Sequence, residues 1–268
     1  MPAPYPDQRR DAIEKLKTVF ERKPYVRIIH YSCESFDDRP SGQSPRITAI
    51  AIRKLDDAQT VSFSIHAVAE RRGVPIAQIP GNYDDLEREM LRDFFNYVEG
   101  HKDIAYLHWN MRDKNYGFQA IEHRYEALMK TTRLFPEGQR YDLSRILLEM
   151  YGTEYIEHPR LENLARKNEM TMERFLGGKD EAEAFIRGKY VALEQSTLRK
   201  VDLLDDIAER AYRQTLKTIS NWWVQHGGNI RGAWNWIVTN ATILFLIGLA
   251  GVAIGAVALY AGLLALKH

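Results

Sequence analysis

Cys33 is the only cysteine in the chain, so no internal disulfide braces the fold. That usage fits a reducing compartment. Charge of neither sign is in excess: 37 Lys and Arg stand against 36 Asp and Glu. Such a balance excludes a nucleic-acid binder working through bulk positive charge, while leaving a local basic patch open. The start, MPAPYPDQRRDAIEKLKTVF, has no apolar stretch and is charged early, so no secretory signal is expected. A P-loop, a dinucleotide-binding glycine fingerprint and a Gly-x-Ser-x-Gly elbow are all missing. His30, His66, His101, His123, His158 and His226 follow no metal-ligand spacing. There is no repeat and no low-complexity segment. What remains is an ordinary globular composition, 45% hydrophobic and 27% charged, which does not read as disordered.

One long apolar run is present. Residues 241–266, ATILFLIGLAGVAIGAVALYAGLLAL, contain no charge. As a helix they reach about 39 Å, enough for a bilayer core with some tilt. A soluble helix of that length is almost never apolar on every face. A transmembrane helix is therefore expected, with membrane lipid as a partner. Upstream lie Trp222, Trp223, Trp234 and Trp236, four of the five tryptophans. Indoles favour the headgroup level, so residues 213–240 are expected along the interface. Arg210, Arg213, Lys217 and Arg231 precede the run, and only Lys267 and His268 follow it. The positive-inside bias then places the large N-terminal part in the cytoplasm. Gly248, Gly251, Gly255, Ala258, Gly262 and Ala265 recur at 3-4 spacing along one face. In lipid such a stripe lets backbones pack closely, which favours a homo-oligomer, although small residues are common in membrane helices anyway.

The remainder reads as α/β. Residues 8–22 form a short amphipathic helix, within an N-terminal segment 1–24. Strands are expected at Tyr25–Tyr31, Arg46–Arg53, Thr60–Ile65 and Asp103–Trp109. Helices are expected at 83–99, Phe118–Met129, Tyr141–Tyr151, Leu161–Asn168 and from Asp180 to about Val224. Three consecutive strands predict antiparallel pairing, and a later strand after a helix predicts a parallel crossover. The expected architecture is a mixed sheet flanked by helices over residues 25–212.

Certain residues at the ends of these elements carry a pattern. The first strand runs into Tyr31-Ser32-Cys33-Glu34. The fourth runs into His108-Trp109-Asn110-Met111-Arg112-Asp113. A later helix carries Tyr190-Val191-Ala192-Leu193-Glu194. Together with the element order, from residue 25 to about 210, these motifs resemble the DEDD superfamily of 3′–5′ exonucleases, which has a ribonuclease-H-like fold. The resemblance implies metal ligation by Glu34, Asp113 and Glu194, orientation of the attacking water by Tyr190, and a catalytic part for Glu34. Mg or Mn is the implied cofactor if the site is active. Tyr141-Asp142-Leu143 is similar to a later strand-end Asp that has no metal role in that family. Two departures stand out: Ser32 replaces the first Asp, and Glu194 replaces the last. Two clamped cations need several anionic oxygens in tight geometry. A serine hydroxyl supplies no such charge at neutral pH, and a glutamate is one methylene longer.

Each residue also has a structural role open to it. Glu34 suits an ion pair, Asp113 a helix cap, Tyr190 and Glu194 an ordinary helix face. His108 suits a local hydrogen bond, and Cys33 a small buried hydrophobe. The expected function is thus a silent exonuclease-like domain. It binds single-stranded nucleic acid or a nucleotide, as a sensor or adaptor on an oligomerising anchor. The alternatives are an active membrane-tethered exonuclease and a membrane scaffold or defence effector without nucleic-acid chemistry. Replacing Gly251 and Gly255 together by Leu is expected to break up detergent-resistant oligomers, as read by light scattering. An unchanged oligomer size rules out that face.

Overall fold

The structure, a computed structural model, describes residues 6–34, 44–112, 116–136, 138 and 140–219. Over these the chain folds as α/β, with a five-stranded mixed sheet covered by helices on both faces. Helix α1 (Pro6–Glu21) leads through a 3-10 turn at Lys23–Tyr25 into β1 (Val26–Cys33). β2 (Ile47–Lys54) and β3 (Thr60–Ser64) follow, then α2 (Ile65–Arg71) and α3 (Tyr83–Glu99). β4 (Ala105–His108), α4 (Phe118–Met129) and β5 (Arg140–Asp142) complete the sheet. The remaining helices are α5 (Leu143–Tyr151), α6 (Arg160–Lys167), α7 (Gly178–Ile186) and α8 (Tyr190–Tyr212).

The strand order is β3-β2-β1-β4-β5. β1 pairs with β2 and β2 with β3 antiparallel, whereas β4 lies parallel to β1 and β5 parallel to β4. β1 is central and all eight of its residues are buried, as a strand covered on both faces requires. Alternation splits its side chains between two apolar clusters. Val26 and Ile28 join α1, α5, α6 and α8 in one. Ile29 and Tyr31 join α2, α3 and α4 in the other. Ala51, fully buried, keeps the surface beneath α8 shallow enough for the helix to lie close.

Several boundaries differ from the sequence reading for local reasons. β1 begins and ends later than Tyr25–Tyr31, because Tyr25 closes the 3-10 turn by donating to the Arg22 carbonyl at 2.8 Å. β4 is shorter than Asp103–Trp109. The helix expected over Tyr141–Tyr151 is a three-residue strand followed by a helix. Asp142 ends the strand and caps α5, accepting from the Ser144 N–H at 3.1 Å. α2 is absent from the sequence reading. Ser64 starts it, accepting from the Ala67 N–H at 3.3 Å. The long helix expected from Asp180 to Val224 is broken and stops early. At Gly188 the backbone turns left-handed (φ +65°), and the Lys189 N–H reaches the Ala184 carbonyl at 2.8 Å. That is a Schellman closure. α8 ends by the same device with Gln214 in the left-handed position (φ 57°), the Thr215 N–H reaching the Arg210 carbonyl at 2.8 Å.

Past α8 the chain is held down. Asn168, 1% exposed, donates to the Lys217 carbonyl at 2.9 Å and accepts from its N–H at 2.8 Å. The Ile219 N–H donates to the Tyr155 carbonyl at 2.9 Å. Among the described residues no helix is long and apolar enough to cross a membrane. The expected span 241–266, its stripe from Gly248 to Ala265 and the tryptophan-rich segment from 220 onward lie outside the described residues.

Truncating a core side chain of α8 tests the weight of this packing. Leu204→Ala is expected to cost about 2–5 kcal/mol in urea denaturation. Asp206→Ala, on the exposed side of the same helix, is expected to change stability by less than about 0.5 kcal/mol.

Candidate functional site

The carboxyl ends of β1 and β4 lie side by side where the chain turns to β2 on one side and towards β5 on the other. In open α/β sheets such a switch point is where ligands bind. On the β1 side a cleft of about 650 Å³ opens between β1, α7 and α8. His30, Ser32, Glu34, Tyr116, Glu181 and Lys200 line it.

Ser32, in the position of the missing aspartate, is 2% exposed and belongs to a hydroxyl cluster. Its Oγ lies 2.6 Å from Thr48 Oγ1 and 2.9 Å from Thr197 Oγ1. The cluster ties β1 and β2 to α8 and carries no charge. Glu34 is neutralised by one neighbour. The Arg46 N–H donates to its Oε1 at 2.9 Å and Arg46 Nε donates to its Oε2 at 2.8 Å. The same guanidinium rests over the rings of Tyr83, at 5.0 Å, and Phe185, at 4.9 Å. Both oxygens of Glu34 are therefore engaged by the residue that precedes β2, the ion-pair role open to it in the sequence.

Glu194 points elsewhere. Ser62 of β3 donates to its Oε1 at 2.6 Å, and His66 of α2 is 2.8 Å from its Oε2. Tyr190, one turn earlier, is 5% exposed and packs with Tyr83 and Phe185 at ring distances of 6.1 and 6.2 Å. Burial raises its pKa. Asp113 lies outside the described residues. The fold thus brings Tyr190 close to Arg46, the partner of Glu34, while Glu34 and Glu194 bind different groups. Among the described residues no group of three His, Cys, Asp or Glu side chains could hold a metal ion. With Ser32 uncharged and both glutamates engaged, the described residues do not fit a two-cation centre, which needs open anionic oxygens.

Other groups, which the sequence reading passed over, occupy the cleft. Lys200 is 6% exposed and sits 2.7 Å from Glu181 Oε2. Ser196 donates to Glu181 Oε1 at 3.2 Å. His30 is 6% exposed, and its Nδ1 has no hydrogen-bond partner among the described residues. Burial holds the His30 pKa well below its ordinary value, and the Lys200 charge adds to the effect. A signal for Lys200 was present: it lies on the α8 face marked by Leu193, Thr197, Val201 and Leu204, where a lysine is out of place.

On the β4 side, His108 is 1% exposed and accepts from the Met111 N–H at its Nδ1 at 3.1 Å. This is the local hydrogen bond open to it in the sequence, and it leaves Nε2–H as the ring's donor. Burial lowers the His108 pKa to about 4, against the attraction of Asp142 and with the help of Arg112 and Arg140. Asp142 Oδ1 accepts from the Asn110 N–H at 3.0 Å, and Arg112 pairs with Oδ2. Asp142 thus joins the β4 loop to α5, which is a structural task. Cys33 is 8% exposed and free of disulfide, the small buried group expected of it.

No family model matches the chain, and no curated protein matches it in sequence. Among solved structures it is similar to a chain of a pre-cleavage Mos1 transpososome, with 11% identity and a TM-score of 0.27. The match covers 79% of this chain and 62% of that one, so the chain spans less than two thirds of the length of that neighbour. So distant a likeness carries no statement about fold or activity; the strand order above stands by itself.

Both buried histidines have folded pKa values below the unfolded value, so folding excludes their protons. Their contribution to stability is complete above about pH 6.5 and is lost as pH falls, for His108 down to about 4. Each is expected to add up to about 1.4 kcal/mol per pH unit to the acid-side slope. Denaturant unfolding between pH 7 and 4.5 checks this: His30→Gln and His108→Gln should each flatten the slope relative to the parent.

Proposed function

We propose that the chain is a non-catalytic ribonuclease-H-like domain that binds a nucleotide or single-stranded nucleic acid as a sensor or adaptor. One observation carries this reading. Every described acidic or substituted position of the exonuclease-like pattern is consumed inside the fold: Ser32 by Thr48 and Thr197, Glu34 by Arg46, Glu194 by Ser62 and His66. A fold persists when its chemistry is lost, and the cleft that chemistry used stays available for binding. The strand order β3-β2-β1-β4-β5, three strands antiparallel and two parallel to the first, is compatible with a ribonuclease-H-like sheet and supports the fold half of the proposal. Residues 241–266 tether this domain to a membrane as a single span, with the domain in the cytoplasm and the Gly/Ala stripe pairing copies of the chain; their composition supports that part.

No step of this function runs through Mg or Mn. The full chain in detergent, given Mg²⁺ or Mn²⁺ and end-labelled single-stranded DNA or RNA, is expected to leave the substrate intact. Under the same conditions it should retain the labelled strand or a labelled nucleotide in a polarisation assay. Metal-dependent cleavage that disappears in Glu34→Gln overturns the proposal in favour of an active exonuclease. Absence of both cleavage and binding leaves the scaffold reading instead.

A further inference from the structure

A second cleft, of about 670 Å³, opens on the other side of β4. α1, the end of β4, the start of α4, β5 and α5 all contribute to its walls. Its charged lining is Lys15, Arg112, Arg140 and Arg145 against Asp142 and Glu149. The two carboxylates are shared out completely. Glu149 takes Lys15 at 3.1 Å and Arg145 at 2.9 Å, and Asp142 takes Arg112. Arg140 has no carboxylate partner among the described residues. Its guanidinium lies 4.4 Å from the centroid of the Phe118 ring and 5.8 Å from that of Phe135. Stacking of this kind holds the guanidinium plane in place while leaving its N–H edge free to donate.

Among the described residues the lining therefore holds four cations against two carboxylates, a surplus of two positive charges. The chain as a whole has a net charge of only +1, so this surplus is a local concentration and not a sample of the average surface. A phosphate monoester carries about −1.5 to −2 at neutral pH and offers three acceptor oxygens. It would bring the cleft close to neutrality, with the fork of Arg140 suited to two of those oxygens. His108, 1% exposed, also lines the cleft. A phosphodiester brings one charge and leaves the surplus half met. The volume lies within the range of about 300–1,000 Å³ of sites that enclose a small molecule.

We propose that the cleft between β4, β5 and α5 is a binding site for a nucleotide-sized phosphate monoester, with Arg140 as its principal phosphate ligand. Only the class of ligand rests on the function proposed above. The cleft is a different one, and its occupancy is read by binding alone, so this proposal and the absence of nuclease activity fail independently.

Titration calorimetry on the full chain in detergent tests it with four probes: adenosine 5′-monophosphate, 3′,5′-cyclic adenosine monophosphate, adenosine and inorganic phosphate. The monophosphate is expected to bind at least about tenfold more tightly than the cyclic diester, and adenosine not at all. Arg140→Gln should weaken the monophosphate about tenfold or more, Arg140→Lys should restore part of the loss, and Lys102→Gln, an exposed charge elsewhere, should change nothing. Arg140 is exposed, so these variants are expected to fold, and unfolding curves that match the parent verify it. Equal affinity for the monoester and the diester overturns the charge argument. Binding of inorganic phosphate without the monophosphate overturns a nucleotide-sized ligand. No binding of the monophosphate, or binding undiminished in Arg140→Gln, overturns the site.

Discussion

Helix α8 lies across β1, β2 and β3, and the polar contacts that pin it there decide what the neighbouring cleft can do. Thr197 meets Ser32 on β1, Glu194 meets Ser62 on β3, and Arg53 of β2 reaches Asp202 at 3.0 Å and Asp205 at 2.7 Å. Beneath the helix the buried Ala51 shares its apolar cluster. A half-buried carboxylate is expensive to leave without partners, so each acid on this face has been given one. The same economy removes them from other work. An acid that accepts bonds from its own fold has few lone pairs left for a cation. The clamp and an open metal centre therefore compete for the same side chains, and in the described part of this chain the clamp has them.

Much of the sheet was legible in the sequence, because its strands are β-branched and the first three follow one another closely. Ile47 to Lys54 shows the alternation that a strand requires, and the pairing directions follow from connection lengths. The elements that were missed turn on single residues. Arg140–Asp142 is too short to display a period, and only the motif similarity around Asp142 pointed to a strand end there. The break at Gly188 had a glycine to announce it. The break at Gln214 had none, since glutamine seldom takes a left-handed backbone and does so here to close the helix. Asp142 was legible as a strand end only through that similarity, since the residue pattern read as one helix from Tyr141. Glu34 and Glu194 were legible as charged residues in suggestive places, but their partners come from 12 and 132 residues away, and no local spacing reports a partner at that distance.

The two clefts differ in the same respect. In the β1–α8 cleft the buried cation Lys200 already has Glu181, and the atom without a hydrogen-bond partner among the described residues is His30 Nδ1. Among the described residues of the β4–β5 cleft the unmatched group is a cation. A chain whose total charge is close to zero can hold such a surplus because charges cancel over the whole surface without cancelling locally. Lys15 and Arg145 are far apart in sequence, and only the docking of α1 against α5 sets them on one carboxylate. Composition could leave a basic patch open as a possibility; the fold gives it a location.

The double hydrogen bond between Asn168 and Lys217 has a mechanical side. A chain leaving a domain through a slack linker transmits little beyond tension. Here the segment after α8 is sewn to the end of α6 and to Tyr155, which brackets it up to the last described residue. Through residue 219 the backbone therefore shares the domain's orientation as well as its position. A tilt of the domain turns Lys217 and Ile219 with it, where a slack linker would let them lag.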